Sequence, residues 1–206
     1  EIENIALHLH EGASVLDVGC ANGYSSFRQL LTNPKHITGV DFSELMINYA
    51  NERKEEEGIR NIDFLVGDIR SLPFPDETYD VTYTTRVLIN LPNWHEQILG
   101  IEECIRVTKK GGKIIFSEAF YEPLVLLNAL RTLKNLPPLV EHDFNRYIKR
   151  EKLEKYLTGK DFDYSIIDFS SIYYLGSRFL RELVTNTNDY PGYSNPINKI
   201  FFEIEK

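Results

Sequence analysis

The sequence predicts an α/β protein: a mostly parallel sheet covered by helices on both faces. Two observations carry this. Five short β-rich runs alternate with helix-like segments as far as Ser117, and strands joined through helices in this way lie parallel. The first run passes through a tight glycine turn straight into a helix, and three successive runs have an acid at or just past their ends, Asp17, Asp41 and Asp68.

Ser14–Val18 (SVLDV) is the first strand, and Gly19-Cys20-Ala21-Asn22-Gly23 ends it. Tyr24–Leu31 follows as a helix with Phe27, Leu30 and Leu31 on one face. His36–Asp41 is the second strand. Ser43 caps a helix running to about Arg53, with Leu45, Met46, Tyr49 and Ala50 turned inward. Asn61–Val66 is the third strand, stopping before Gly67-Asp68. The turn-rich Pro73-Phe74-Pro75-Asp76 leads to the fourth, Tyr79–Thr84. Asn93 caps a helix that lines up Trp94, Ile98, Ile101 and Ile105, and Glu96, three residues on, completes a capping-box pattern. Gly111-Gly112 stops the chain, and Lys113–Ser117 is the fifth strand.

The alternation breaks after Glu118. Phe120–Leu136 and Arg150–Leu157 read as helices inserted ahead of a sixth strand, Tyr164–Phe169, and Lys199–Glu205 (KIFFEIE) reads as a seventh. Residues 170–196, with Tyr173, Tyr174, Tyr190 and Tyr193, read as a long connection. One domain over 1–206 is expected, decorated at 119–160 and 170–196.

Composition excludes several classes. Of 206 residues, 31 are Asp or Glu and 23 are Lys or Arg, a formal net charge of -8. That balance argues against broad nucleic-acid binding, which needs a basic footprint. Two cysteines, Cys20 and Cys104, are too few for a disulfide scaffold or a four-thiolate metal site. His8 and His10 alternate around Leu9 without a cysteine or an acidic ligand cluster, so no metal is expected. No run of 18 apolar residues crosses a bilayer, and no basic region precedes an apolar core at the start. A cytoplasmic protein that is not transmembrane is expected. The chain opens on Glu1 rather than Met, so further residues are expected to precede it.

The turn after the first strand brings backbone amides and a helix start towards a ligand. It is not a dinucleotide fingerprint, because Ala21 stands where a second glycine would, and Tyr24 and Ser25 follow. Nor is it a phosphate loop, since no Gly-Lys-Ser/Thr ends it. Taken singly, each of the three acids also suits turn bracing or helix capping.

Four segments, VLDVGCANG, GVDFSELMINYA, VGDIRSLPFPDETYDV and VTKKGGKIIFSE, together resemble the class I S-adenosylmethionine-dependent methyltransferases, in particular the methyltransferase domain 11/25-like branch. The resemblance implies a seven-stranded Rossmann-like sheet whose last strand is antiparallel, with a helical insertion after strand five. It implies that Asp41 receives the ribose diol and Asp68 the adenine amino group, with Ile69 and Phe42 beside them. Asp17, Gly19, Cys20, Ala21 and Gly23 would line or brace the amino-acid end. S-adenosyl-L-methionine is the implied cofactor.

Acceptors in this family approach above strands four and five. Arg86 and Glu118, just past those strands, are therefore candidates: Arg86 for an acidic acceptor, for the cofactor, or for Glu118 itself, and Glu118 for a carboxylate near the methyl. His142, as a histidine, is a candidate base for a hydroxyl acceptor. Asn90, Asn128, Arg131, Tyr173, Tyr174 and Arg178 complete the expected wall. No Asp/Asn-Pro-Pro-Tyr/Phe motif for nucleic-acid amino groups is present, so an O or N atom of a small molecule or a glycan unit is expected; the apolar Leu124–Leu127 keeps a lipid-like acceptor open. A non-catalytic cofactor-binding protein and an NAD-dependent oxidoreductase are the alternatives. Oligomeric state is not legible.

Overall fold

In the computed structural model, which describes residues 1–160, 162–169, 172–185 and 195–205, five of the expected strands form one sheet. They are β1 (Ser14–Val18), β2 (His36–Asp41), β3 (Ile62–Val66), β4 (Tyr79–Thr85) and β5 (Thr108–Ser117). All pairings are parallel, in the order β3-β2-β1-β4-β5. The order reverses between β1 and β4, and the crevice outside the carboxyl ends of the strands at such a switch is where open α/β sheets bind ligands.

The helices are α1 (Ile2–Ala6), α2 (Tyr24–Gln29), α3 (Glu44–Glu56), α4 (Trp94–Val107), α5 (Tyr121–Leu133), α6 (Arg150–Leu157), α7 (Ile172–Leu175), α8 (Arg181–Val184) and α9 (Pro196–Glu205). Ser43 caps α3 by accepting the Met46 amide at 3.4 Å, and Asn93 caps α4 by accepting the Glu96 amide at 3.1 Å. One core joins Ile5, Phe27, Ile47 and Ala50 of α1–α3 to Val15, Ile37, Ile62, Phe64, Val81 and Tyr83 of the strands. The inward face of α3 is thus Ile47 and Ala50, while Leu45 and Tyr49 are exposed. α4 buries Gln97, Gly100, Ile101, Cys104 and Val107. β5 starts five residues earlier than read. Its register slips between the Tyr79–Thr108 and Val81–Lys113 pairs, so Gly111-Gly112 forms an excursion within the strand instead of preceding it.

Two expected strands are not in the sheet, which among the described residues has five strands, all parallel, rather than seven with an antiparallel last one. Tyr164–Phe169 has no regular structure and its side chains are largely exposed. Lys199–Glu205 lies inside α9. There the start signal overrides the alternation of KIFFEIE: Pro196 occupies the first turn, where a missing amide costs nothing, and Asn195 Oδ1 accepts the Ile197 amide at 2.9 Å. The same residues then bury Asn198 and set Phe201 over Gly176, where a Cβ would stand 2.1 Å from the ring. Tyr190 and Tyr193 lie outside the described residues.

The chain forms two compact units. The first comprises residues 1–119 and 141–148, the second 120–140 and 149–206. Among the described residues no helix is long and apolar enough to cross a membrane.

Candidate functional site

A cleft of about 630 Å³ opens in the first unit at the carboxyl ends of the strands. Its floor comes from the loop after β1. Gly19 and Cys20 donate their amides to the Val40 carbonyl at 2.7 and 3.0 Å, and Ala21 donates its amide to Asp41 Oδ2 at 2.8 Å. The other oxygen of Asp41 accepts the Ser43 amide at 2.8 Å. A carboxylate offers about four lone-pair directions. Each oxygen of Asp41, a cleft residue, therefore keeps capacity for a further donor. That is what a ribose diol requires.

Gly19 has φ +76°, and a Cβ there would stand 2.1 Å from Val87 Cγ2. Only glycine lets the loops after β1 and β4 approach this closely. Ala21 also occupies the left-handed region, at φ +47°. Gly23 caps α2 with φ +76° beneath the Phe64 and Phe27 rings. Gly19, Ala21, Asp41, Phe42, Asp68 and Ile69 all line the cleft. Asp17 and Cys20 lie beneath it, both buried. Asp17 Oδ2 accepts the Ser26 hydroxyl at 2.5 Å and the Tyr83 hydroxyl at 2.7 Å. Burial raises the Asp17 carboxyl to about 6 against the pull of those hydroxyls. Burial likewise pushes the Cys20 thiol well above its ordinary value, so it is no nucleophile.

Asp68 lines the cleft but is not alone. Arg70 donates its amide and Nε to Asp68 Oδ1, both at 2.9 Å, and grips Oδ2 through Nη2. Its Nη1 reaches Glu96 Oε2 at 2.8 Å. Glu96 thus serves Arg70 rather than closing a capping box. The guanidinium holds the Asp68 carboxyl below the usual range.

The opposite wall is the loop after β4, with Arg86, Val87, Ile89, Asn90, Leu91 and Pro92. Glu118 holds this loop from behind. Its Oε1 accepts the Thr84 hydroxyl at 2.7 Å and the Val87 and Leu88 amides at 3.0 and 3.1 Å, and Oε2 accepts the Ile89 amide at 3.3 Å. Burial raises the Glu118 carboxyl while these donors lower it. Arg86 has φ +56°, strain of the kind that collects at functional sites. Its exposed guanidinium pairs with Glu1 at 3.5 Å, not with Glu118. Asn90 donates from Nδ2 to the Arg86 carbonyl at 2.9 Å.

A strap over 141–148 returns to this unit and adds Asn145 to the cleft. Arg146 donates its amide to the Ile89 carbonyl at 2.6 Å, Ile148 donates to the Ala119 carbonyl at 2.9 Å, and buried Gln97 bridges the Leu88 and Arg146 carbonyls. His142 is exposed on the strap, stacked on Phe144, and is not among the cleft's lining residues. Asn128 and Arg131 belong to the second unit. There Asn128 makes two hydrogen bonds to the Leu139 backbone, and buried Arg131 binds the Pro137 and Arg178 carbonyls and Glu182. Tyr173 packs edge-on to Phe202 in the same unit, and Leu124 and Leu127 are buried there. Arg70 and Asn145 escaped the sequence reading. The Asp-x-Arg spacing at 68–70 was a usable signal for the first, whereas nothing local marks the second.

Residues 9–171 match the family described as methyltransferase domain. The chain is 30% identical over 119 residues to 27-O-demethylrifamycin SV methyltransferase of Amycolatopsis mediterranei, covering 57% of this chain and 42% of that protein. It is 30% identical over 142 residues to demethylmenaquinone methyltransferase of Lactococcus lactis, covering 67% and 55%. The chain thus spans about half the length of these curated relatives. Among solved structures, the YcgJ protein of Bacillus subtilis shares the fold with a TM-score of 0.65 at 20% identity, over 81% of this chain and 70% of that one. The PH0226 protein of Pyrococcus horikoshii superposes with a TM-score of 0.55 at 27% identity, over 70% and 64%. These matches support the family at its broad level and not the 11/25-like branch. The chain belongs to the class I S-adenosylmethionine-dependent methyltransferase family.

Proposed function

We propose that the protein transfers a methyl group from S-adenosylmethionine to a small-molecule acceptor in the cytoplasm. The observation that carries this is Asp41: a cleft carboxylate held by one amide on each oxygen, with acceptor capacity left for a diol. In this reading Asp68 takes the adenine amino group, Ile69 and Phe42 flank the ring, and the Gly19–Ala21 turn accommodates the amino-acid end. Asp17, Cys20 and Gly23 brace that turn from outside the cleft. When bound, the cofactor supplies an already activated methyl on a sulfonium. The chain's own task is to align the acceptor and exclude water.

Glu118 positions rather than abstracts, because its oxygens already serve four donors. Arg86, Asn90 and Asn145 orient the acceptor against apolar walls of Val87, Ile89, Leu91 and Pro92. The relatives named for demethylmenaquinone and 27-O-demethylrifamycin SV favour an acceptor with a large apolar body over a glycan. Two free, buried thiols suit a reducing compartment.

Calorimetry with S-adenosylhomocysteine tests the cofactor assignment. Asp41→Ala should weaken binding by about 10- to 100-fold, the range for hydrogen bonds to a charged group. Unchanged affinity in a folded variant overturns it. Transfer of labelled methyl from S-adenosylmethionine to reduced demethylmenaquinone tests the acceptor class.

A further inference from the structure

Arg70 lines the cleft at its β3 end, and its fork is committed. Two of its groups meet Asp68 Oδ1, its Nε is shared with Oδ2 at 3.1 Å, and Nη2 completes the grip on Oδ2. The far nitrogen, Nη1, is tied to Glu96. Glu96 rides on the first turn of α4, which is firmly seated at this point. A Cβ at Gly100 of that helix would stand 3.2 Å from Ile69 and 3.1 Å from Leu88. Ile69, between the two charged residues, is buried, and the Ser71 amide closes the turn onto the Asp68 carbonyl at 3.0 Å. The chain of contacts therefore runs from a packed helix through a planar guanidinium to a carboxylate in the cleft. A bidentate fork fixes the plane of a carboxylate, which a point charge does not.

Three N–H donors of Arg70, its amide, Nε and Nη2, take up most of the lone-pair directions of Asp68 and leave capacity for one more donor. We infer that Arg70, anchored by Glu96, is the positioning residue of the adenine end: it fixes the Asp68 carboxylate so that the remaining direction selects a 6-amino purine. This rests on the assignment of Asp68 to the adenine amino group. Arg70 touches no reacting atom in this role. Its signature is a change in ligand discrimination rather than a general loss of binding.

The test titrates wild type, Arg70→Ala and Arg70→Lys with S-adenosylhomocysteine and with its analogue carrying hydrogen in place of the adenine 6-amino group. Wild type should prefer the amino ligand by about tenfold or more, as one hydrogen bond to a charged acceptor allows. Arg70→Ala should lower that preference to within about threefold while binding of the analogue changes little. Arg70→Lys keeps the charge without the fork, so it should also lose at least half of the preference; it carries the test alone if Arg70→Ala does not fold. If wild type discriminates but the variants weaken both ligands by one factor, or Arg70→Ala tightens the amino ligand, the proposal falls and the Asp68 assignment stands. If wild type binds both ligands alike, the Asp68 assignment falls and takes the proposal with it.

Discussion

The loop after β1 hands its amides to neighbouring backbone and to Asp41: Gly19 and Cys20 to Val40, Ala21 to the carboxylate. The loop after β4 hands the amides of Val87, Leu88 and Ile89 to one side chain, Glu118. Both face one cleft, and each has a buried acid behind it. Asp17 touches hydroxyls only, whereas Glu118 holds the loop itself. The loop after β1 is thus held by shared strand geometry, and three amides of the loop after β4 by one side chain just past β5, with the strap and Gln97 holding the Ile89 and Leu88 carbonyls. A wall held by side chains and a strap remote in sequence is open to change without disturbing the loop after β1.

The sharpest way to break the contrast is Glu118→Ala. It strands the Thr84 hydroxyl and three amides, and should destabilise the protein by about 3–5 kcal/mol, the range for removing one partner of a buried charged set. Denaturant unfolding reads this directly. A variant as stable as wild type would mean that the loop is held elsewhere. Asp17 sharpens the other side. Its folded pKa, about 6, lies above the unfolded value. Its contribution to stability is therefore full below about pH 4 and is lost as pH rises through 6, a change on the order of 3 kcal/mol. Asp17→Asn lacks this dependence, so unfolding measured from pH 4 to 7 should show the variant gaining on wild type by that amount. A difference that stays flat with pH would refute it. The smallest effect belongs to Gly19→Ala, where a strained φ and a wedge against Val87 should cost about 2–3 kcal/mol. Gly12→Ala is the control: φ is +78° there, but nothing lies within 4 Å of the added Cβ. The two variants should differ in cofactor-product affinity, with Gly19→Ala the weaker binder. Equal affinities would show that the loops do not need their close approach.

The β1–β5 frame was legible because each element carries its own local signals: β-rich runs, the Ser43 and Asn93 caps, and acids around the strand ends. Gly19, Asp41 and Asp68 line the cleft from positions at or just past strand ends, which the local signals also marked. What failed depends on partners remote in sequence. KIFFEIE alternates well enough for a strand, yet Asn195-Pro196 starts a helix and Gly176 makes room for Phe201. Glu118 stood out at a strand end, but its bonds to 84–89 could not be read from its neighbours. Arg70 was not singled out, because its partner Glu96 lies 26 positions away. Asn145 reaches the cleft only because the chain comes back after leaving it.

That return sets a rule for how such a gene can be rearranged. The second unit is written in two stretches, with the strap, residues 141–148, read between them. A single crossover after Ala119 would therefore exchange more than the helices that follow. It would also carry off Asn145, the buried Ile148 and the carbonyl that Gln97 grips, leaving the recipient cleft without part of its rim. Recombination between relatives can preserve this rim only by keeping eight residues matched to the Leu88–Gln97 region, far upstream in the message. The strap and that region thus build one rim together, and an exchange of the surrounding helices that keeps the rim has to leave both in place.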